Sequence, residues 1–236
     1  RVLVVDDSAL NRRSIAAILS GSSQVEVVGK AADGEEALRL VSLLRPDAIT
    51  LDLEMPRMDG FTFLRILTAK LATPVIVVSS YAQKENVFKA LELGAIDFVA
   101  KPDRMGDVEL GTIREELLQK VLLARGLRVA ANPLRARLDS QSDLVAVPPT
   151  RGAPPRVLVA IGASTGGPTA LVELLSRLPR RSSLAVLIAQ HMPEKFTRTF
   201  AERLDRRCPL QVREAEDRGG VAAGTALVCP GGRCME

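Results

Sequence analysis

Short apolar runs alternate with longer stretches of helical period through the first half of the chain. Val2–Val5 is apolar throughout and stops at Asp6-Asp7, and Ser8 is placed to cap a helix running to about Leu19. Val25–Val28 reads as a second strand. Asp33-Gly34 opens a helix to about Leu44, which Pro46 closes. Ala48–Leu51 leads to Asp52, and Asp59-Gly60 turns into a helix through about Leu71. Pro74–Val78 leads to Ser79, and Lys84–Leu93 has helical period and stops at Gly94. Ile96–Ala100 leads to Lys101-Pro102. Gly111–Ala124 is a last helix, with Ile113, Leu117, Leu118 and Val121 as its apolar positions. Strands alternating with helices predict a parallel sheet covered on both faces.

From residue 125 to 155 no helical or strand period survives. Arginine, alanine, serine and glutamine lead into Val-Pro-Pro-Thr-Arg-Gly-Ala-Pro-Pro, the composition of an extended, semi-rigid linker. The β-α-β order resumes at Arg156. Val157–Ile161 is a buried-type strand, followed by Gly162-Ala163-Ser164-Thr165-Gly166-Gly167, with Pro168 suited to the first helical position of a helix to about Leu178. Leu184–Ala189 is the next strand, ending at Gln190-His191-Met192-Pro193. A helix from about Glu194 to Arg206 and strands at Leu210–Val212 and Thr225–Cys229 complete the pattern. The expected architecture is α/β, with two doubly wound parallel-sheet domains at 1–124 and 156–236.

The polar residues that interrupt this pattern carry the chemistry. Asp6, Asp7, Asp52, Ser79 and Lys101 each fall at the carboxyl end of an apolar run, and in an open parallel sheet those ends share one edge, where ligand sites form. Three carboxylates meeting there repel unless a cation joins them, and oxygen donors favour Mg²⁺. A lysine and a hydroxyl on the same edge suit a phosphoryl group. Singly, each residue has a plainer account: a helix cap, a turn residue, a solvated charge. Their common order argues against coincidence.

Ser164 and His191 sit just beyond two consecutive strands, so both side chains can reach one crevice. Serine alone is a poor nucleophile, and an imidazole within reach can take its proton. Glycines and a helix start nearby can stabilise an oxyanion. His191 is the single histidine, and GASTG at 162–166 fits the G-x-S-x-G pattern. A nucleotide-phosphate loop is the rival reading, but Ser164 stands where the second glycine of G-x-G-x-x-G belongs, and the P-loop lysine is absent. A purely structural serine and histidine remain a second alternative.

Composition narrows the rest. Of 236 residues, 47% are hydrophobic and 25% charged, the balance of a globular chain. The net charge of +4 is exceeded by residues 120–156 alone, with seven basic and two acidic side chains, so the folded parts are near neutral. With no tryptophan and one tyrosine there is no stacking surface for single strands, and nucleic acid is not an expected partner. Cys208, Cys229 and Cys234 form no CxxC pair and read as reduced thiols. No apolar run approaches the ~18 residues of a membrane span, and no basic-then-apolar leader opens the chain, so no membrane insertion and a cytoplasmic location are expected.

The segments VLVVDDS, TLDLEMPRMDG, PVIVVSS and GAIDFVAKP resemble a response-regulator receiver domain over residues 1–124. The resemblance implies a flavodoxin-like sheet of order 2-1-3-4-5 and a histidine kinase that phosphorylates Asp52. It implies Mg²⁺ held by Asp6, Asp7, Asp52 and the backbone carbonyl of Glu54. Lys101 would pair with a phosphoryl oxygen, Ser79 would bond the phosphate, and Phe98 would follow as an aromatic switch. The segments VAIGASTGGP, AQHMPEKFT and CPGGRCME resemble the catalytic domain of the chemotaxis response-regulator protein-glutamate methylesterases. That resemblance implies hydrolysis of γ-glutamyl methyl esters on methyl-accepting chemoreceptors and deamidation of receptor glutamines, without a cofactor. Ser164 matches the nucleophile and His191 the base; Thr165, Gly166 and Gln190 would be oxyanion or flanking groups. The family's triad aspartate falls further along than residue 236, and residues 156–236 are few for an α/β domain of roughly 100–150 residues. The expectation is therefore a fragment holding an incomplete Rossmann-like esterase domain of low activity. Where the family reads GGRH, this chain has Arg233-Cys234. The alternative function is a non-catalytic receiver module, a phosphate sink or docking partner.

Overall fold

The computed structural model describes residues 1–80, 84–101, 107–126, 153–179 and 183–235, with the side chains at 80, 84 and 107–112 left aside. Two compact units divide at Ser140–Gln141, within the stretch 127–152 that lies outside the described residues. The linker expected at 125–155 falls largely on that stretch.

In the first unit the order is β1 (Val2–Val5), α1 (Ala9–Ser20), β2 (Val27–Ala31), α2 (Gly34–Leu44), β3 (Ala48–Leu51), α3 (Gly60–Lys70), β4 (Val75–Ser80), α4 (Lys84–Glu92), β5 (Asp97–Lys101) and α5 (Asp107–Ala124). All five strands are parallel, in the order β2-β1-β3-β4-β5. Every residue of β1 and β3 is buried, as continuous apolar runs covered on both faces must be. α1 and α5 touch each other, and Ile15, Leu19, Leu117 and Val121 pack with Val2, Val4, Ile76 and Val99. α2 and α3 touch each other on the opposite side.

Local chemistry sets the helix starts. The Ser8 hydroxyl accepts from the Asn11 N–H, Asp33 from the Glu35 and Glu36 N–H groups, and Asp59 from the Thr62 N–H. α2 ends on Arg45 at φ 47°, just before Pro46. Several expected limits shift. β4 runs to Ser80, so Ser79 lies inside the strand rather than after it, and β5 runs one residue further, to Lys101. β2 begins at Val27 and extends to Ala31, because pairing with β1 sets its limits and this edge strand is only half-buried, weakening its apolar signature. α5 begins at Asp107, four residues earlier than Gly111.

The second unit holds β6 (Val157–Ala163), α6 (Gly167–Ser176), β7 (Leu184–Gln190), α7 (Glu194–Arg207), β8 (Gln211–Glu214) and β9 (Thr225–Val228). Its four strands are parallel, in the order β6-β7-β9-β8. The crossovers β6→β7 and β7→β8 step in the same direction, so a common right hand puts α6 and α7 on one face, where they touch. β6 and β7 run two residues and one residue beyond the expected ends, to Ala163 and Gln190, which pair as the last residues of their register. Gly166, at φ 77°, caps α6, so Gly167 takes the first helical position and Pro168 the second. Gly166 is the residue type that accepts this left-handed turn.

Candidate functional sites

The first site forms where β1 and β3 end together. Val5 pairs with Leu51, so the next residues, Asp6 and Asp52, emerge side by side. Asp6, Asp7 and Asp52 each offer a carboxylate oxygen, and these lie within 4.8 Å of one another; Asp6 and Asp52 are buried and Asp7 is exposed. Lys101, at the end of β5, places Nζ 2.8 Å from Asp6 Oδ2 and 2.7 Å from Asp52 Oδ2. The Ser8 N–H donates to Asp6 Oδ1 at 2.9 Å and the Leu53 N–H to Asp52 Oδ1 at 2.8 Å. Burial pushes the Asp6 carboxyl above its ordinary value, with Lys101 offsetting this only in part. Burial alone would lower Lys101, but Asp52 and Asp6 outweigh it and hold the ammonium above its ordinary value, so it stays charged.

The donor set is hard oxygen, three carboxylates gathered against a single lysine, and it fits Mg²⁺. Asp6, Asp7 and Asp52 are the side chains that would hold the ion. Glu54 stands two residues past Asp52 in the β3–α3 loop, its side chain exposed. That loop is tightly bounded: a Cβ at Gly60 would collide with the Asp52 carbonyl and the Leu53 Cα. Ser79 is buried near the end of β4 and pairs in register with Ala100. Phe98 is buried on β5, its ring 6.5 Å from that of Phe88 and its carbonyl bonded by Lys120 Nζ.

Two groups here escaped sequence reasoning. Arg12 donates from Nη1 to the main-chain carbonyls of Asp6 and Asp7, pinning the loop that carries both carboxylates. The available signal was a cation in the first turn of a helix, where the macrodipole disfavours it unless a specific acceptor compensates. Lys120, buried on α5, bonds Asp97 and Glu116 as well as Phe98.

The second site forms where β6 and β7 end together. The His191 N–H donates to the Ala163 carbonyl at 2.8 Å, so Ser164 and His191 leave the sheet as neighbours. Ser164 Oγ lies 3.4 Å from His191 Nδ1, and both residues are exposed. They line an open crevice of ≈ 500 Å³ with Gln190, Met192, Cys229 and Gly231. Gly231 seats against the start of α7, where a Cβ would meet the Met192 carbonyl and the Glu194 nitrogen. The Thr165 hydroxyl is buried, with no hydrogen-bond partner among the described residues. Gln190 is buried, and its amide nitrogen donates to two main-chain carbonyls, which makes it a flanking group rather than a donor offered to the crevice. Met192 and the 229–232 loop were not expected as lining; the Gly231-Gly232 pair was the signal for a close backbone approach.

Cys229 is the competing nucleophile in this crevice. Burial, reinforced by the neighbouring Cys234, raises its thiol above the ordinary value, and a raised thiol supplies little thiolate. Cys208 is pushed up to about 12, chiefly by burial and then by Asp205. Ser164 Oγ, by contrast, has an imidazole nitrogen beside it. Among the described residues no carboxylate is bonded to the His191 ring.

Residues 2–109 match the response regulator receiver domain family and residues 159–236 the CheB methylesterase family. The chain is 52% identical over 236 residues to protein-glutamate methylesterase/protein-glutamine glutaminase 6 of Anaeromyxobacter dehalogenans, covering 100% of this chain and 64% of that protein. It is 48% identical to protein-glutamate methylesterase/protein-glutamine glutaminase 3 of Geobacter sulfurreducens, covering 100% of this chain and 68% of that protein. The chain thus spans about two thirds of the length of these relatives. Among solved structures, the response regulator domain of Thermotoga maritima CheB aligns with a TM-score of 0.50 at 39% identity, over 54% of this chain and 96% of that one.

Proposed function

Because the chain belongs to the protein-glutamate methylesterase/protein-glutamine glutaminase family and carries a receiver domain, we propose that it is a phosphorylation-controlled esterase of chemotaxis adaptation. Its substrates are γ-glutamyl methyl esters on chemoreceptors, with receptor glutamines as a second class, and its phosphodonor is a chemotaxis histidine kinase. The work is cytoplasmic; among the described residues no helix is long and apolar enough to cross a membrane.

The observation that carries this reading is Ser164 Oγ facing His191 Nδ1 across 3.4 Å at the mouth of one crevice. Ser164 Oγ attacks the ester carbonyl carbon while Nδ1 takes its proton. The carbonyl oxygen gains the displaced electron pair near the start of α6, where amide groups and the helix dipole favour negative charge. The C–O bond to methoxide then breaks, and the imidazolium returns the proton so that methanol leaves. Water, deprotonated by the same nitrogen, releases the glutamyl carboxylate and restores Ser164. Nδ1 can act as base only in the tautomer with hydrogen on Nε2, which a carboxylate at Nε2 would select.

In the receiver, Asp52 is the phosphoacceptor and Lys101 the cation that pairs with a phosphoryl oxygen. Ser79 and Phe98 carry the change from the phosphate to the β4–β5 edge. Mg²⁺, when bound, neutralises charge on the phosphoryl oxygens. Phosphorylation exchanges the single charge of the Asp52 carboxylate for the ~2 charges of an acyl phosphate, a net gain of about one, and sets new acceptors at this edge, enough to bias a two-state face.

The long Ser–His separation, with no carboxylate bonded to the ring among the described residues, favours one second reading: a receiver module that takes phosphate without catalysing hydrolysis. Methanol release separates the two. Incubation with a methylated receptor fragment and a phosphodonor is expected to liberate methanol. Stoichiometric phosphorylation with no methanol above background would select the non-catalytic reading.

A further inference from the structure

We propose that Gln190 is the positioning residue of the esterase site, a side-chain clamp that fixes the main chain beneath both Ser164 and His191. The inference rests on the hydrolase reading above and assigns a part to a residue that does not itself touch the reacting atoms.

The need for a clamp follows from the sheet. β6 and β7 are held in register down to the Ala163–Gln190 pair, and the last main-chain link is the His191 N–H to the Ala163 carbonyl at 2.8 Å. Beyond it the chains turn away into α6 and toward α7. Ser164 and His191 stand on that diverging stretch, both exposed, so their own side chains gain little restraint from packing.

Gln190 bridges the gap. Its Nε2 donates to the Ser164 carbonyl at 3.0 Å and to the His191 carbonyl at 3.1 Å. One amide nitrogen has two hydrogens, and each is directed at the carbonyl of one reacting residue. The residue is only 6% exposed, so its amide is largely shielded from competing water although the acceptors sit on exposed residues. The Gly167 N–H adds a further bond to the Ser164 carbonyl, at 2.8 Å. The opposite amide orientation would set an oxygen against two carbonyl oxygens. The observed one leaves Oε1 buried with no partner among the described residues, so an unmet acceptor is tolerated there in order to make the clamp.

The clamp also explains a glycine. A Cβ on Gly167 would collide with Gln190 Oε1, so the first residue of α6 must be glycine for Gln190 to lie where it does. Positions 167 and 190 are therefore one unit. An anchor of this kind matters because misplacement of a reacting group by ~1 Å can lower a rate by ~10².

The single histidine of the chain permits a direct test, since its imidazole nitrogens give one set of ¹⁵N signals. The reporter is the His191 Nδ1 shift at a pH where the ring is neutral, measured with Ser164 and with Ser164→Ala. In the otherwise unaltered chain, Ser164→Ala is expected to move the signal, because a hydroxyl bonded to Nδ1 is removed. In a Gln190→Met background, which keeps the volume and deletes both donors, Ser164→Ala is expected to leave the signal unmoved. Gly167→Ala, which displaces Gln190 without replacing it, is expected to abolish the response in the same way. Far-UV circular dichroism and thermal midpoints check that each variant is folded. A response to Ser164→Ala of equal size in the Gln190→Met and Gly167→Ala backgrounds would overturn the clamp while leaving the serine–histidine pair intact. No response even with Gln190 and Gly167 in place would overturn the pair, and the clamp with it.

Discussion

With Mg²⁺ and a small acyl-phosphate donor, the chain is expected to take up one phosphoryl group, and the Asp52→Asn protein none. Asp52 is the carboxylate of the cluster that combines closeness to Lys101 with an opening to solvent: it is 8% exposed, whereas Asp6 is completely buried. A carboxylate is a weak nucleophile, so transfer depends on holding it in line while the charge on the incoming oxygens is neutralised. Asparagine keeps the shape and can still accept from the Leu53 N–H, which preserves the loop. It offers no anionic oxygen, so no acyl phosphate forms. The adduct should be labile to both acid and base. Removing Mg²⁺ with a chelator is expected to suppress labelling of the unaltered chain as well. Labelling that persists in Asp52→Asn at a comparable level would mean that another group accepts the phosphoryl.

The second large effect is expected at the hydrolase pair. Ser164→Ala and His191→Gln should each remove nearly all ester hydrolysis, and the double variant should be no worse than either. Residues that act as one unit give such non-additive losses, on the order of 10⁶ in kcat for a complete serine triad. The size of the fall reports the state of His191. A histidine without an orienting carboxylate begins about 10⁴ lower. Starting there, the further loss on His191→Gln should be nearer ~10². Multiplying losses in the double variant would show that the two side chains act separately. Steady-state methanol release with each variant decides between these outcomes.

Much of this arrangement can be read from residues alone, because it is written as polar interruptions of apolar runs. Asp6, Asp52, Lys101, Ser164 and His191 each stand at or directly after the end of a strand, and in a parallel sheet strand ends converge. The buried strands β1 and β3 carry an unambiguous signal. β2 does not, since an edge strand containing Gly29 and an exposed Lys30 has little apolar pattern to mark its limits. What stayed hidden depends on tertiary reach. Arg12 and Arg13 are indistinguishable in sequence, yet Arg12 bonds the two aspartyl carbonyls. Lys120 falls on the same helical face as Ile113, Leu117 and Ala124, and it is Asp97, Glu116 and the Phe98 carbonyl, invisible in the local pattern, that let a lysine be buried there. Gln190 reads only as a neighbour of His191; that its amide spans two strand ends is a property of the register between β6 and β7.

The most direct test of the account is to treat the chain with an alkyl fluorophosphonate and locate the adduct by mass spectrometry. The serine–histidine pair predicts displacement of fluoride by Ser164 Oγ, a single adduct on that residue, and a marked fall in its rate of formation in His191→Gln. An adduct carried instead by Cys229, Cys234 or another hydroxyl would contradict it. So would a Ser164 adduct that forms just as fast without the imidazole.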